Sequence, residues 1–122
     1  MSLHVTTSNA KPGLVLLHLA GHIAISDETD ALEWLLCSFL RQGENKLIFD
    51  LAGVGQIDPD AALFLVRCSF RVRGSGGELR FAAARPDVLR PFSATTLDAV
   101  LSFDPTIAAA CEYFRDGSRP GS

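Results

Sequence analysis

A chain of 122 residues with 48% apolar side chains is long enough to bury one real core, and a single domain is expected. Its formal net charge of -3 gives no basic field to gather phosphates, which argues against nucleic-acid binding. The apolar runs break well before membrane-spanning length, and MSLHVTTSNA has neither the basic start nor the apolar core of a signal peptide, so a cytosolic place is expected.

Leu3 to Thr7 has the pattern of an edge strand, and Asn9-Ala10-Lys11-Pro12-Gly13 that of a turn returning the chain antiparallel. Leu14 to Leu19 is a second, better buried strand, and Ala20 to Ala24 leads out of it. Ser26 or Asp27 can cap the next helix, Asp27, Glu28 and Asp30 suit its positive end, and Gly43 closes it. Leu32, Leu35, Leu36, Phe39 and Leu40 repeat at helical spacing, which buries one face, exposes Glu33 and Arg41 and leaves Trp34 at the core edge.

Lys46 to Leu51 is nearly continuously apolar and reads as a central strand, with Gly53 and Gly55 breaking the pattern after it. Asp58 suits an N-cap and Pro59 the first helical position, so a helix runs from Asp58 to about Arg73. Asp60 falls in its first turn, which sets two carboxylates at the positive end of a helix beside the carboxyl edge of a buried strand. Ala62, Leu65, Val66, Ser69 and Val72 share the face assigned to the sheet. On the opposite stripe lie Asp60, Phe64, Arg67 and Arg71, flanked by Leu63 and Phe70. Either this stripe is a contact surface or its large apolar residues pack under neighbouring loops.

Gly74 to Gly77 is a connector, since it lacks the Lys-Ser/Thr ending of a phosphate loop and follows a helix. Glu78 to Ala83 is the next strand, Arg85-Pro86-Asp87 starts a short helix through Leu89 that Pro91 should kink or end, and Val100 to Phe103 is a last strand. Asp104-Pro105 is expected to cap a final helix reaching Phe114, and the polar tail 116–122 to lack fixed structure. The element order implies an α/β fold: a mixed sheet with a parallel core and right-handed crossovers.

Cys37, Cys68 and Cys111 are odd in number and form no C-x-x-C pair, and read as small buried hydrophobes in helices. His18 and His22 are placed across a strand end and a turn, so no metal site and no cofactor is expected. Every histidine precedes residue 23 and no serine sits in a nucleophile elbow, so Ser-His-Asp chemistry is not expected either. Asp58-x-Asp60 echoes an Asp-based phosphatase, yet Ala62 stands where Thr or Val belongs, and the only lysines, Lys11 and Lys46, lie upstream. A non-enzyme is expected.

The run from Leu14 to Phe114 resembles the STAS family, which includes bacterial anti-sigma factor antagonists and related regulatory modules. The matching residues are Leu19-Ala20-Gly21, Leu47 to Val54, Ile57-Asp58, Val72-Arg73, Gly76 to Leu79, and Thr95 to Asp98 before Val100 and Leu101. The resemblance implies a STAS-like mixed sheet of about five strands packed by about four helices, within one domain over residues 1–115. In the family's antagonists the central strand leads to Asp-Ser-Ser-Gly, whose second hydroxyl residue is phosphorylated by a partner kinase that is also the anti-sigma factor. Here Asp58-Pro59-Asp60-Ala61 stands in that place: Asp58 is kept, Asp60 occupies the phosphosite and no hydroxyl remains. Asp60 is then either a fixed phosphate-like charge or only a helix N-terminal charge worth about 0.3–1 kcal/mol.

The resemblance implies a partner-switching interaction domain in transcription regulation. Its partner would be an anti-sigma factor of the histidine-kinase-like ATPase type, with a homodimer also compatible. Asp60, Leu63, Phe64, Arg67, Gly21 and His22 are the expected contacts, and Asp58 and Pro59 organise the turn. The alternative is a STAS module in another assembly, either a stress-signalling complex or the cytosolic subunit of a lipid transporter.

Overall fold

The computed structural model describes residues 2–90 and 101–115. Pro91, the Thr95 to Asp98 match, Val100 and the tail 116–122 lie outside the described residues.

Five strands form one sheet in the order β1-β2-β3-β4-β5, with β1 antiparallel to β2 and every other pair parallel. β1 is Leu3–Lys11, longer than the expected edge strand, because the reversal is confined to Pro12 and Gly13. Gly13 takes a φ of 85°, where its missing Cβ matters, so the strands can pair almost to the turn. β2 is Leu14–Ile23 and β3 is Lys46–Ile57, and both run past their expected ends. Gly53 and Gly55 therefore lie inside β3 and do not break it. A Cβ on Gly53 would come within 2.9 Å of the Ala20 Cβ, so the glycine permits close approach to β2 where the register slips.

α1 (Asp27–Arg41) starts at Ser26, whose hydroxyl accepts the amides of Glu28 and Thr29 while the Thr29 Oγ1 accepts the amide of Ser26. Gly43, at a φ of 85°, follows its end as expected. Leu32 and Leu36 are fully buried, and Leu35, Phe39 and Leu40 pack at the margin. Trp34 departs from expectation: it is 68% exposed, with the Arg41 guanidinium 5.9 Å from its ring centre. It sits on the outer side of α1, away from the sheet.

α2 (Pro59–Gly74) lies beside α1 on the same face of the sheet, and between them they bury Leu17, Leu19, Phe49, Leu51 and Phe81. β4 (Glu78–Ala82) stops one residue earlier than expected, since Ala83 turns to a φ of 63°. α3 (Pro86–Leu89) is the expected short helix, and its Val88 enters this main core.

The last strand, β5, is Phe103–Asp104, shifted toward the C-terminus relative to the expected Val100 to Phe103. Asp104 does not cap a helix. It accepts both the Nε and Nη2 of Arg80 at 2.9 Å, an ion pair between neighbouring strands, and Thr106 caps α4 (Ile107–Tyr113) instead, its Oγ1 accepting the Ala109 amide at 3.0 Å. Ala110 and Phe114 close the other face of the sheet over Leu14, Leu16, Ile48 and Ala82.

Candidate functional site

The carboxyl ends of β2 and β3 meet the start of α2, and Asp58 is the hinge between strand and helix. Its backbone does the capping: the carbonyl accepts the amides of Ala61 (2.9 Å) and Ala62 (3.2 Å), and its own amide donates to Ile23 at 2.9 Å. The carboxylate, expected to cap, makes no such bond. It turns back to β2 and accepts the His22 Nε2 at 2.6 Å and the Gln56 side-chain amide at 3.3 Å. With Pro59 at the first helical position one N–H is absent from the start of α2, so the side chain is left for the strands.

Gly21 and His22 are residues of β2 and not of a loop. Gly21 is held at a φ of 107° against the Ser2 carbonyl, which any Cβ would strike, so only glycine lets the start of β1 lie across this edge. A hollow of about 470 Å³ opens there, lined by Ser2, His4, Gly21, His22, Gly55 and Gln56.

Along α2 the expected contact residues separate. Asp60 is exposed in the first turn and Leu63, one turn on, is 65% exposed, so both present themselves to solvent. Phe64 is 1% exposed and belongs to the core. It shares a stripe with Arg67 and Arg71, which reach Glu33 of α1, so two neighbours, sheet and helix, widen the buried arc beyond what the sheet alone would require. Arg67 is exposed but engaged. With Arg71 it grips Glu33 of α1 through contacts of 2.7–3.0 Å, and Arg67 holds the Glu33 carboxyl below the ordinary glutamate range, with Arg71 adding to the effect. Glu33, expected to be exposed, is the half-buried centre of this clamp.

A second His-Asp pair lies on the α4 side of the sheet. His18 Nδ1 is 2.7 Å from Asp50 Oδ2, its Nε2 is 2.9 Å from the Ser8 hydroxyl, and Asp50 Oδ1 accepts the Ala52 amide at 3.0 Å. Both histidines are thus strand residues with carboxylate partners, His18 with Asp50 on β3 and His22 with Asp58 at the start of α2, contrary to the expectation of a strand end and a turn, and a Ser-His-Asp connection exists where none was expected. A signal was present: His18 and Asp50 each interrupt an apolar run as the fifth residue of its strand, and the parallel register sets them side by side.

The chain is thus an α/β protein with an open mixed sheet and an exposed carboxylate in the helix that follows its central strand. The chain belongs to the STAS domain family, whose model matches residues 6–110. A Thermotoga maritima protein assigned to the anti-sigma factor antagonists is 30% identical over 83 residues, covering 68% of this chain and 74% of that one. A crystal structure of a T. maritima protein so assigned superimposes with a TM-score of 0.77 at 25% identity, over 88% of this chain and 92% of the other. An anti-sigma factor antagonist from Mycobacterium paratuberculosis shares the fold at 0.79 and 22% identity, over 94% and 96% of the two chains. Unphosphorylated SpoIIAA shares it at 0.69 and 12% identity, over 93% and 99%. No helix among the described residues is long and apolar enough to cross a membrane.

Proposed function

We propose that this protein is a partner-switching anti-sigma factor antagonist whose phosphosite position is held by Asp60. The observation that carries the reading is the Asp60 carboxylate, exposed in the first turn of α2 beside the carboxyl end of β3, at the place where the family pattern puts its acceptor hydroxyl. A phosphoserine brings about -1.5 to -2 charge there and an aspartate about -1, and both suit the positive end of the helix. The carboxylate gives a lasting, weaker version of the charge that a kinase would add and remove. The partner surface comprises Asp60, Leu63 and the rim of the hollow at Gly21 and His22. Pro59 and Asp58 fix its shape from beneath, and Phe64 contributes from the core by holding the helix in place. Arg67 takes part through the Glu33 clamp that orders it.

The partner that fits is a histidine-kinase-like ATPase acting as anti-sigma factor. Wild type and Asp60→Ser, used side by side as bait in native lysate, are expected to retain such an ATPase with affinities at least tenfold apart, about 1.4 kcal/mol. Asp60→Ser is also expected to gain a phosphate at position 60 when the captured ATPase is supplied with ATP. Equal retention by both baits with no phosphate on the Ser variant would reduce Asp60 to a helix-end charge. Retention of a membrane transporter by both would move the chain to the other assembly class.

A further inference from the structure

We propose that Ser8 is a base-activated nucleophile that, with His18 and Asp50, takes acyl groups from small activated esters. The site lies on the α4 side of the sheet, away from the face covered by α1 and α2. It spans three adjacent strands: Ser8 on β1, His18 on β2 and Asp50 on β3. Ser8 is in register with Leu16, two residues from His18 along the same face, so its hydroxyl reaches the imidazole diagonally.

The hydrogen bonds define the direction of proton flow. The Asp50 carboxylate only accepts, so the imidazole proton sits on Nδ1, 2.7 Å away. Nε2 then presents a lone pair, and the Ser8 hydroxyl, 2.9 Å away, donates to it. Asp50 is locked by the Ala52 amide on its other oxygen and is 13% exposed, His18 is 35% exposed and Ser8 is exposed. The relay therefore runs from a sheltered carboxylate to a hydroxyl that a reagent can reach. This is the nucleophile, base and orienting group required of hydroxyl activation.

In the reaction the Ser8 oxygen bonds to the ester's carbonyl carbon while its proton passes to His18 Nε2. The tetrahedral adduct collapses with loss of the alcohol or phenol oxygen, which takes the proton from His18. Water, deprotonated by the same imidazole, then attacks the acyl-serine, and the Ser8 oxygen leaves with that proton returned from His18, so that ester and water give acid and alcohol. Ser8 and His18 are the catalytic residues, and Asp50 is a positioning residue. General-base activation contributes about 10²–10⁴-fold, which sets the scale of the rates expected.

The chain carries its own control. Ser2 lies 3.2 Å from His4 Nε2, an exposed pair in which no carboxylate holds the imidazole among the described residues. The full chain is treated with a fluorophosphonate and separately with 4-nitrophenyl acetate, and adducts are located and timed by peptide mass spectrometry. A Ser8 adduct forming at least tenfold faster than any at Ser2 is expected, slowed about 10²-fold or more by His18→Gln. Asp50→Asn should slow it too and move the His18 proton to Nε2, visible in the imidazole ¹⁵N shifts, which a purely structural role would not require. Absence of a Ser8 adduct, or an equal rate in His18→Gln, overturns the proposal. Should His18→Gln unfold, the exposed Ser8→Ala decides: ester cleavage at the wild-type rate overturns the assignment, and its loss sustains it.

Discussion

Cys68 shows what burial does to a reactive group at the scale of one residue. It is fully enclosed on the inner side of α2, and burial pushes its thiol up to about 12, with the nearby Glu33 charge adding to the rise. Almost none of it is thiolate at neutral pH. In the native protein Cys68 is expected to resist alkylation while half-buried Cys37 reacts first, being in reach of the reagent. Timed iodoacetamide labelling followed by peptide mass spectrometry checks this, and Cys68 labelling as fast as Cys37 without denaturant would contradict it. The helical placement of all three cysteines follows from their neighbours' spacing. The partners of His18, His22 and Asp58 do not, because they depend on strand register and on bulges that set residues far apart in the chain against each other. Asp58 is the instructive residue: its type and position fit a cap, yet the backbone carbonyl makes the cap and the carboxylate serves the strands.

At the scale of elements, α1 and α2 are joined by one carboxylate between two guanidinium groups. Glu33 is more sheltered than either arginine, so losing its charge removes both ion pairs at once. Since the folded protein lowers the glutamate's pKa, its contribution is present above the ordinary glutamate range of about 4.3 and is lost as pH falls through the lower folded value. Glu33→Gln is expected to cost about 1 kcal/mol at neutral pH, since the arginines are half exposed. The difference from wild type should shrink toward zero in acid and in high salt. Urea titrations across that range test it, and a difference that grows on acidification would reverse the sign. The clamp also accounts for the misread stripe on α2. A wheel that considers only the sheet sends Phe64 outward with Arg67, whereas a second helix buries the Phe64 side and keeps Arg67 at the seam. Helix type and spacing were legible here, and neighbour identity was not.

Across the whole molecule, alternation sorts the strands into two unequal cores, and the larger one holds the fold. The strand-strand-helix opening, the parallel centre and four described helices follow from hydrophobic period and capping signals, which are local. The far ends of β2 and β3 escaped such a reading because their glycines look like breakers, whereas Gly21 and Gly53 are close-approach points within continuous strands. Phe81 lies where these levels meet: it is fully buried on β4, edge-on to Phe49 at 5.5 Å and tilted against Phe103 at 5.4 Å, so it ties the centre of the sheet to its last strand. Phe81→Ala is expected to cost about 3–5 kcal/mol, from lost transfer energy and the cavity left behind. Total stability for a domain of this size is only about 5–15 kcal/mol, so the variant should unfold at a much lower urea midpoint with an unchanged slope. Trp34 is larger and stands 68% exposed, so Trp34→Ala should cost no more than about 0.5 kcal/mol. Equal costs for the two would mean that the outer face of α1 is packed in solution and that the layer order described here is incomplete. A wide gap, with Phe81 dominant, follows if stability resides between sheet and helices, leaving the rim at Asp60 and Leu63 able to change without loss of the fold.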